Sequence, residues 1–400
     1  MKMRKLAVLS HILPPSPSGQ SMMLHRILRA VPPTEYCLIS REDYSHELAN
    51  NDPLSLPAPY HHVPPEFQFR IPVDYGLHYR VKELSNILSQ VFLRARSVIR
   101  VARKERCSAI LACSGDLADI PAGYLASRRL RVPFYIYLFD DWRYQWTRRL
   151  HQWFVRHVEP FLMRRATAVI VPNEFLRDEY RRRYGIEPFV IHNPYDPLEP
   201  DSESSECSEL RDQDLRIVFT GAVYHANYDA FRNLMAAISR VNRPELKLHL
   251  YTSQDPQVLK NENIHGPIVL HEHVSPSEAH RIQRSADILF LPLSFDTNFS
   301  EVINTSAPGK MGEYMATGRP ILAHAPSGSF VSWYFRRYEC GVIVDQPDPA
   351  TLAEGIDQLL TDVDFRCEVV ANARARAAED FSIGVAQARF RSLLFPQLFT

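Results

Sequence analysis

Lys310 and Glu313 lie in the segment Thr305-Ser306-Ala307-Pro308-Gly309-Lys310-Met311-Gly312-Glu313. Ser306 has the side chain of a good N-cap, and Pro308 suits a first helical turn. Gly318 and Pro320 then end the helix, so the pattern predicts a helix over 307–317. Such a start presents backbone N–H groups and roughly half a positive charge to whatever lies above Ser306. Lys310 adds a full charge in the same turn, where it opposes the dipole unless an anion is bound. A diphosphate would reverse that sign. Glu313, one turn on, can accept hydrogen bonds from both hydroxyls of a ribose diol. The competing reading is a surface Lys310–Glu313 ion pair worth under ~0.5 kcal/mol.

Other candidates are less specific. Asp140 and Asp141 follow an apolar run, so either could act in chemistry or cap a helix beginning at 143. His61-His62 and His271-Glu272-His273 have no second clustered ligand set, and no metal site is expected. The stretch His271–Val274 could instead border a nucleotide base. Thr220-Gly221-Ala222 lacks the further glycines of a dinucleotide fingerprint, so NAD binding is unsupported.

The elements that must position these residues alternate. Leu6–Leu9, Cys37–Ile39, Ala109–Ala112, Pro133–Phe139, Ala168–Val171 and Phe189–Ile191 read as strands. Helical patterns separate most of them, at 21–30, 81–103, 119–129, 143–166 and 174–183, while 51–75 reads as a long surface loop. The pattern breaks at 192–200. Residues 201–214 are acidic and Ser-rich, as in a linker. Alternation restarts at Arg216–Thr220 and runs to about 379. The expected organisation is therefore an α/β protein of two Rossmann-like, doubly wound domains facing each other across a cleft. Their bounds are 1–200 and 215–380, joined by the linker 201–214. A C-terminal helix at 381–400 is expected to return toward the first domain, and the cleft is the expected ligand site.

Charge is unevenly divided. Residues 1–200 carry 28 Lys+Arg and 20 Asp+Glu, and residues 201–400 carry 18 and 26. Either the first half meets an anionic surface or ligand, or two oppositely charged domains attract each other. The segment 143–165 sets six arginines beside Trp146, Trp153, Phe154 and Phe161. That mixture suits an anionic membrane surface; the competing reading is a domain helix with an apolar core face and a solvated basic face. No nucleic-acid motif accompanies the charge. No apolar run reaches the ~18 residues that span a bilayer. The start of the chain reads as a buried strand rather than a signal peptide. The six cysteines form no Cys-x-x-Cys pair and read as free thiols in a reducing compartment.

The run Pro308-x-Lys310-x-x-Glu313-Tyr314-Met315-Ala316-x-Gly318-x-Pro320-Ile321-Leu322 resembles the donor-site signature of glycosyltransferase family 4. So do Phe219-Thr220-Gly221 with Asn227-x-Asp229-Ala230, the run 286–293, the run 166–173, and Val190-Ile191-His192-Asn193-Pro194. The resemblance covers about 165–360 well and the first 165 residues loosely. It implies the GT-B fold and a retaining, metal-independent, hexosyltransferase-like enzyme with no cofactor beyond its nucleotide-sugar co-substrate. It implies a ribose contact for Glu313, a phosphate contact for Lys310 and a close approach of Gly19 to the donor; Gly221, Thr305, Ser306 and Gly309 are the further donor-binding candidates.

Two positions depart from the family pattern. Thr305 stands where the motif's first Glu belongs; its hydroxyl can bond a donor sugar but cannot stabilise positive charge as a carboxylate does. Phe139-Asp140 stands where the family has His-Asp. Lys310 would stabilise charge on the departing phosphate, and Asp140 would sit near the oxocarbenium-like sugar or orient the acceptor hydroxyl. The expected acceptor is a glycan or lipid-linked glycan, and the expected location of the protein is the cytoplasm, with peripheral contact at the inner face of the cell membrane. A sugar-nucleotide epimerase of the same fold and a non-catalytic nucleotide- or glycan-binding subunit are the alternatives.

Overall fold

A computed structural model describes residues 5–50, 52–68, 76–196, 210 and 214–395. The chain divides into two units, Met1–His192 with Ala386–Thr400, and Asn193–Val385. Apart from Leu210 and Asp214, the acidic linker read at 201–214 lies outside the described residues.

The first unit holds a sheet of β1 (Leu6–Leu9), β2 (Tyr36–Ser40), β3 (Tyr60–His62), β4 (Ala109–Cys113), β5 (Phe134–Tyr137), β6 (Ala168–Val171) and β7 (Phe189–Val190). Its order is β3-β2-β1-β4-β5-β6-β7, with every pairing parallel. Leu6 and Val8 enter one core and Ala7 and Leu9 the other. A strand covered on both faces must be apolar at every position, which explains the uninterrupted runs in the sequence. The helix Ile383–Leu394 places Ala386, Phe390 and Leu394 in the same core as Leu6 and Val8. Gln387 secures it by donating to the Arg26 carbonyl at 2.7 Å.

The second unit holds β8 (Arg216–Thr220), β9 (Lys247–Tyr251), β10 (Ile268–His271), β11 (Ile288–Pro292), β12 (Ile321–His324) and β13 (Val342–Val344). Its order is β10-β9-β8-β11-β12-β13, again all parallel. Each sheet reverses its winding once, between β1 and β4 and between β8 and β11. Such switch points open crevices at the carboxyl ends of their strands.

Two expectations need correction. The stretch 51–75 is not all loop, because Tyr60–His62 forms the edge strand β3, its register set by Leu38 opposite Tyr60. The helix read from 143 begins only at Arg149. Side chains satisfy the intervening backbone: Asp141 accepts from the Arg143 amide at 3.2 Å, and Trp146 donates to the Trp142 carbonyl at 2.7 Å. These bonds make a turn where the pattern suggested a first helical turn. Asp141 therefore caps a turn and not the helix.

Candidate donor site

β8 runs out as Phe219-Thr220-Gly221 at the switch point of the second sheet. Gly221 has φ +129, a conformation L side chains rarely adopt. Its amide still donates to the Tyr251 carbonyl at 2.8 Å. Thr220 is held from two sides. Its hydroxyl accepts from Gln283 at 2.9 Å, and its amide donates to the Tyr314 hydroxyl at 3.4 Å.

Opposite this turn lies the helix Gly309–Ala316. The expected N-cap is overturned here. Ser306 closes the preceding short helix Ser300–Thr305, its amide donating to the Ile303 carbonyl. Pro308 occupies the N-cap position, and no side chain caps the first turn. An early helix end at Thr305 takes Ser306 out of reach, and Pro308 is pre-set to enter the next helix. The connecting backbone is held by Asn193, which donates to the Ala307 carbonyl at 2.7 Å.

Lys310 stands in the first turn, partly buried. Its Nζ lies 5.2 Å from the centroid of the Phe219 ring, a cation–π distance. No carboxylate comes within ion-pair distance of it among the described residues. Burial lowers the pKa of Lys310, while the charge of Glu313 raises it and only partly compensates. The surface ion pair of the competing reading is thus absent among the described residues. An ammonium in an uncapped first turn is repelled by the helix dipole, so the arrangement favours an anion that can touch both.

Thr305 is buried, and its hydroxyl donates back to the Glu301 carbonyl at 2.9 Å. Glu313 is half-buried one turn beyond Lys310. The second unit thereby gathers Gly221, Thr305, Ser306, Gly309, Lys310 and Glu313 around one strand end and one helix start. Sequence reasoning missed Phe219, Gln283 and Asn193 as supports. Phe219 and Asn193 stood within quoted stretches, but nothing local said what they would touch.

The remaining candidates lie in the first unit. Gly19 begins the helix Gly19–Leu28, capped by Ser18, and a Cβ there would meet nothing within 4 Å. Packing within the protein does not demand glycine at that position. Asp140 is exposed just after β5. Phe139 stacks on Tyr137 with centroids 4.5 Å apart, so its ring serves packing. Asp141 is fully buried and makes a two-pronged ion pair with Arg183, at 3.0 and 2.5 Å. That pairing makes Asp141 structural and leaves Asp140 as the accessible carboxylate. His271 stacks on Tyr251 at 4.1 Å in the second unit, and no metal-ligating cluster occurs among the described residues.

Two family models match the chain. "Glycosyltransferase Family 4" covers residues 51–198, and "Glycosyl transferases group 1" covers 214–362. The chain belongs to the family 4 glycosyltransferases of the GT-B fold. No curated protein matches it in sequence. Among solved structures, Anabaena HepE in complex with UDP-glucose has 14% identity and a TM-score of 0.67, covering 99% of each chain. Sucrose-phosphate synthase from Thermosynechococcus elongatus has 15% identity and a TM-score of 0.63, also over 99% of each chain. WaaG, a glycosyltransferase involved in lipopolysaccharide biosynthesis, has 13% identity and a TM-score of 0.62 over 98% of this chain and 99% of its own. At these identities the likeness is one of fold.

Proposed function

We propose that this glycosyltransferase takes its sugar from a nucleoside-diphosphate sugar and transfers it, without a metal and with retention of configuration, to a glycan or lipid-linked glycan. The observation that carries the donor reading is Lys310, an ammonium without an ion-pair partner among the described residues, in an uncapped first turn beside Gly221. Lys310 and the helix amides neutralise the charge that collects on the diphosphate as the sugar–oxygen bond breaks. Glu313 accepts the ribose hydroxyls. Thr305, with its hydrogen committed to Glu301, offers lone pairs to a sugar hydroxyl. Asp140 is assigned to the acceptor hydroxyl.

HepE is complexed with UDP-glucose, which makes UDP the first nucleotide to try. Calorimetric titration with UDP, GDP and ADP, with and without a chelator, tests the donor reading. Binding of one of them at micromolar concentration, unchanged by the chelator, supports it; failure of all three removes it. Retention is read from the anomeric proton of the product by NMR.

Contact with an anionic membrane belongs to the same reading. The helix Arg149–Arg165 buries Phe154, Val155, Leu162 and Met163 but leaves Trp153 and Phe161 each 48% exposed beside Arg149, Arg156, Arg164 and Arg165. The helix Gly76–Lys104 exposes Leu77, Val81, Leu88 and Phe92. Aromatic rings beside guanidinium groups favour an anionic lipid surface. No helix of the described residues is long and apolar enough to cross a membrane. Co-sedimentation with phosphatidylglycerol vesicles should weaken as salt rises, and absence of binding at low salt would remove this part.

A further inference from the structure

We propose that Cys37 and Cys107 form an oxidisable dithiol, a modification site at which a peroxide closes a disulfide that ties the turn after the helix Gly76–Lys104 to β2. The inference stands apart from the donor reading, since it uses no residue of the second unit. Both residues are thiols in this structure, with their Sγ atoms 3.5 Å apart. A disulfide bond is about 2.05 Å long, so the sulfurs need to approach by only about 1.5 Å.

Each sulfur is held where it stands by its own backbone. Cys37 lies in β2, in register with Ala7 of β1, and enters the same core as Ala7. Cys107 follows the end of the helix Gly76–Lys104. There Arg106 has φ +56, and its amide donates to the Arg103 carbonyl at 3.2 Å. The Cys107 amide reaches back to the Ala102 carbonyl at 2.8 Å. Two such bonds around a left-handed residue make a Schellman turn, which folds the residue after it back onto the helix. Ala102 and Cys107 accordingly pack on the core that holds Cys37.

The two thiols are not equivalent. Cys37 is fully buried, whereas Cys107 is partly exposed and within reach of a small oxidant. Lys5 lies beside them, its Nζ 2.5 Å from Glu105, whose other oxygen is 2.9 Å from His61 Nε2. A hydrogen bond from the Cys37 thiol, helped by the charge of Lys5, lowers the pKa of Cys107 against its burial. The same hydrogen bond and burial push Cys37 up. Reactive cysteines sit in partly exposed surroundings with a cation nearby, and inert ones are sealed in apolar cores. Cys107 is of the first kind. Cys113, fully buried and with its pKa raised by burial, is of the second.

The chemistry follows from that difference. The Cys107 thiolate attacks one oxygen of hydrogen peroxide and breaks the O–O bond. The departing hydroxide takes a proton and leaves as water, and Cys107 becomes a sulfenic acid. Cys37 then attacks the Cys107 sulfur, giving up its own proton, and the S–O bond breaks with loss of a second water. Two thiols have lost two electrons, and one peroxide has become two waters. A dithiol reductant returns the electrons by exchange.

Peroxide treatment of the full chain, followed by alkylation and peptide mapping, tests this. Two of the six thiols per chain should disappear, with Cys37 and Cys107 recovered in one linked peptide that dithiothreitol separates. Cys37→Ser should leave Cys107 as a sulfenic acid that dimedone captures. Cys107→Ser should slow oxidation of Cys37 at least tenfold. Because the two residues are 70 positions apart, the bond closes a long loop in the unfolded chain. The oxidised protein should therefore melt on the order of 5–10 °C higher. The proposal is overturned if no linked peptide forms while other thiols oxidise, or if Cys107 is bridged to a different cysteine. Oxidation of Cys37 at an unchanged rate in Cys107→Ser, or a linked protein that melts no higher, would equally defeat it.

Discussion

A Cβ placed on Gly221 would lie 2.6 Å from Nζ of Lys310, closer than real Cβ atoms approach anything. The end of β8 and the side chain of Lys310, from the first turn of the helix Gly309–Ala316, therefore lie in direct contact. Gly221→Ala should disturb this contact twice, through strain at a positive φ and through displacement of the ammonium. We expect a destabilisation of about 1 kcal/mol or more and roughly tenfold weaker UDP binding, read by calorimetry beside chemical denaturation. Unchanged UDP affinity would mean that Lys310 does not act from where it stands.

Lys310→Met keeps the apolar stem over Phe219 and removes the charge. A hydrogen bond to a charged group contributes about 1.5–3 kcal/mol, so UDP should bind on the order of 10–100-fold more weakly. Thermal stability should hold or rise, because the variant removes a cation that opposes the helix dipole. Loss of stability with unchanged affinity would contradict the assignment.

The neighbouring aspartates should behave differently. Arg183→Met strands the buried carboxylate of Asp141 and should cost about 3–5 kcal/mol, much of it recovered when Asp141→Leu is added. Asp140→Asn, at an exposed position, should stay within about 0.5 kcal/mol of the parent while lowering transfer. Denaturant curves for the variants, with turnover for Asp140→Asn, check both statements.

His324 is buried at the end of β12, its Nδ1 2.9 Å from the Val344 carbonyl and its Nε2 3.1 Å from the Asn233 amide. Burial pushes its pKa down to about 4, against the Val344 carbonyl and the charge of Asp229. The unfolded chain takes up this proton near pH 6.5 and the folded chain only near 4. The contribution to stability is present above pH 6.5 and is lost as pH falls through that window, by on the order of 3 kcal/mol. The stability gap between wild type and His324→Asn should narrow accordingly between pH 7 and pH 4. A constant gap would show that the imidazole is not held neutral.

Glu159 has the opposite sign. It is fully buried, accepts from Tyr180 at 2.6 Å and from Tyr184, and burial followed by the charge of Asp141 pushes its carboxyl up to about 7. The folded state holds the proton that the unfolded chain releases near 4.5. This stabilisation is present below that value and is lost as pH rises through about 7. Glu159→Gln should therefore gain on wild type by on the order of 3 kcal/mol from pH 4.5 to pH 8, measured by denaturation at each pH.

The residue order alone determined the class of fold. Strands covered on both faces need apolar residues throughout, as in Leu6–Leu9, and helices that follow them announce their ends with glycine and proline, as at Gly318 and Pro320. Those are local demands, so a linear pattern carries them. β3 escaped because His61 and His62 sit at a sheet edge, where burial does not impose a pattern. The cap misread at Ser306 has a related cause: a serine can open a helix or close the one before it, and only the neighbouring turns choose. The meeting of Gly221 with Lys310, the capture of Asp141 by Arg183 and the approach of Cys37 to Cys107 were settled by tertiary structure. Each joins residues far apart in the chain, and the order in which strands lie side by side, rather than any period within them, brings such groups within bonding distance.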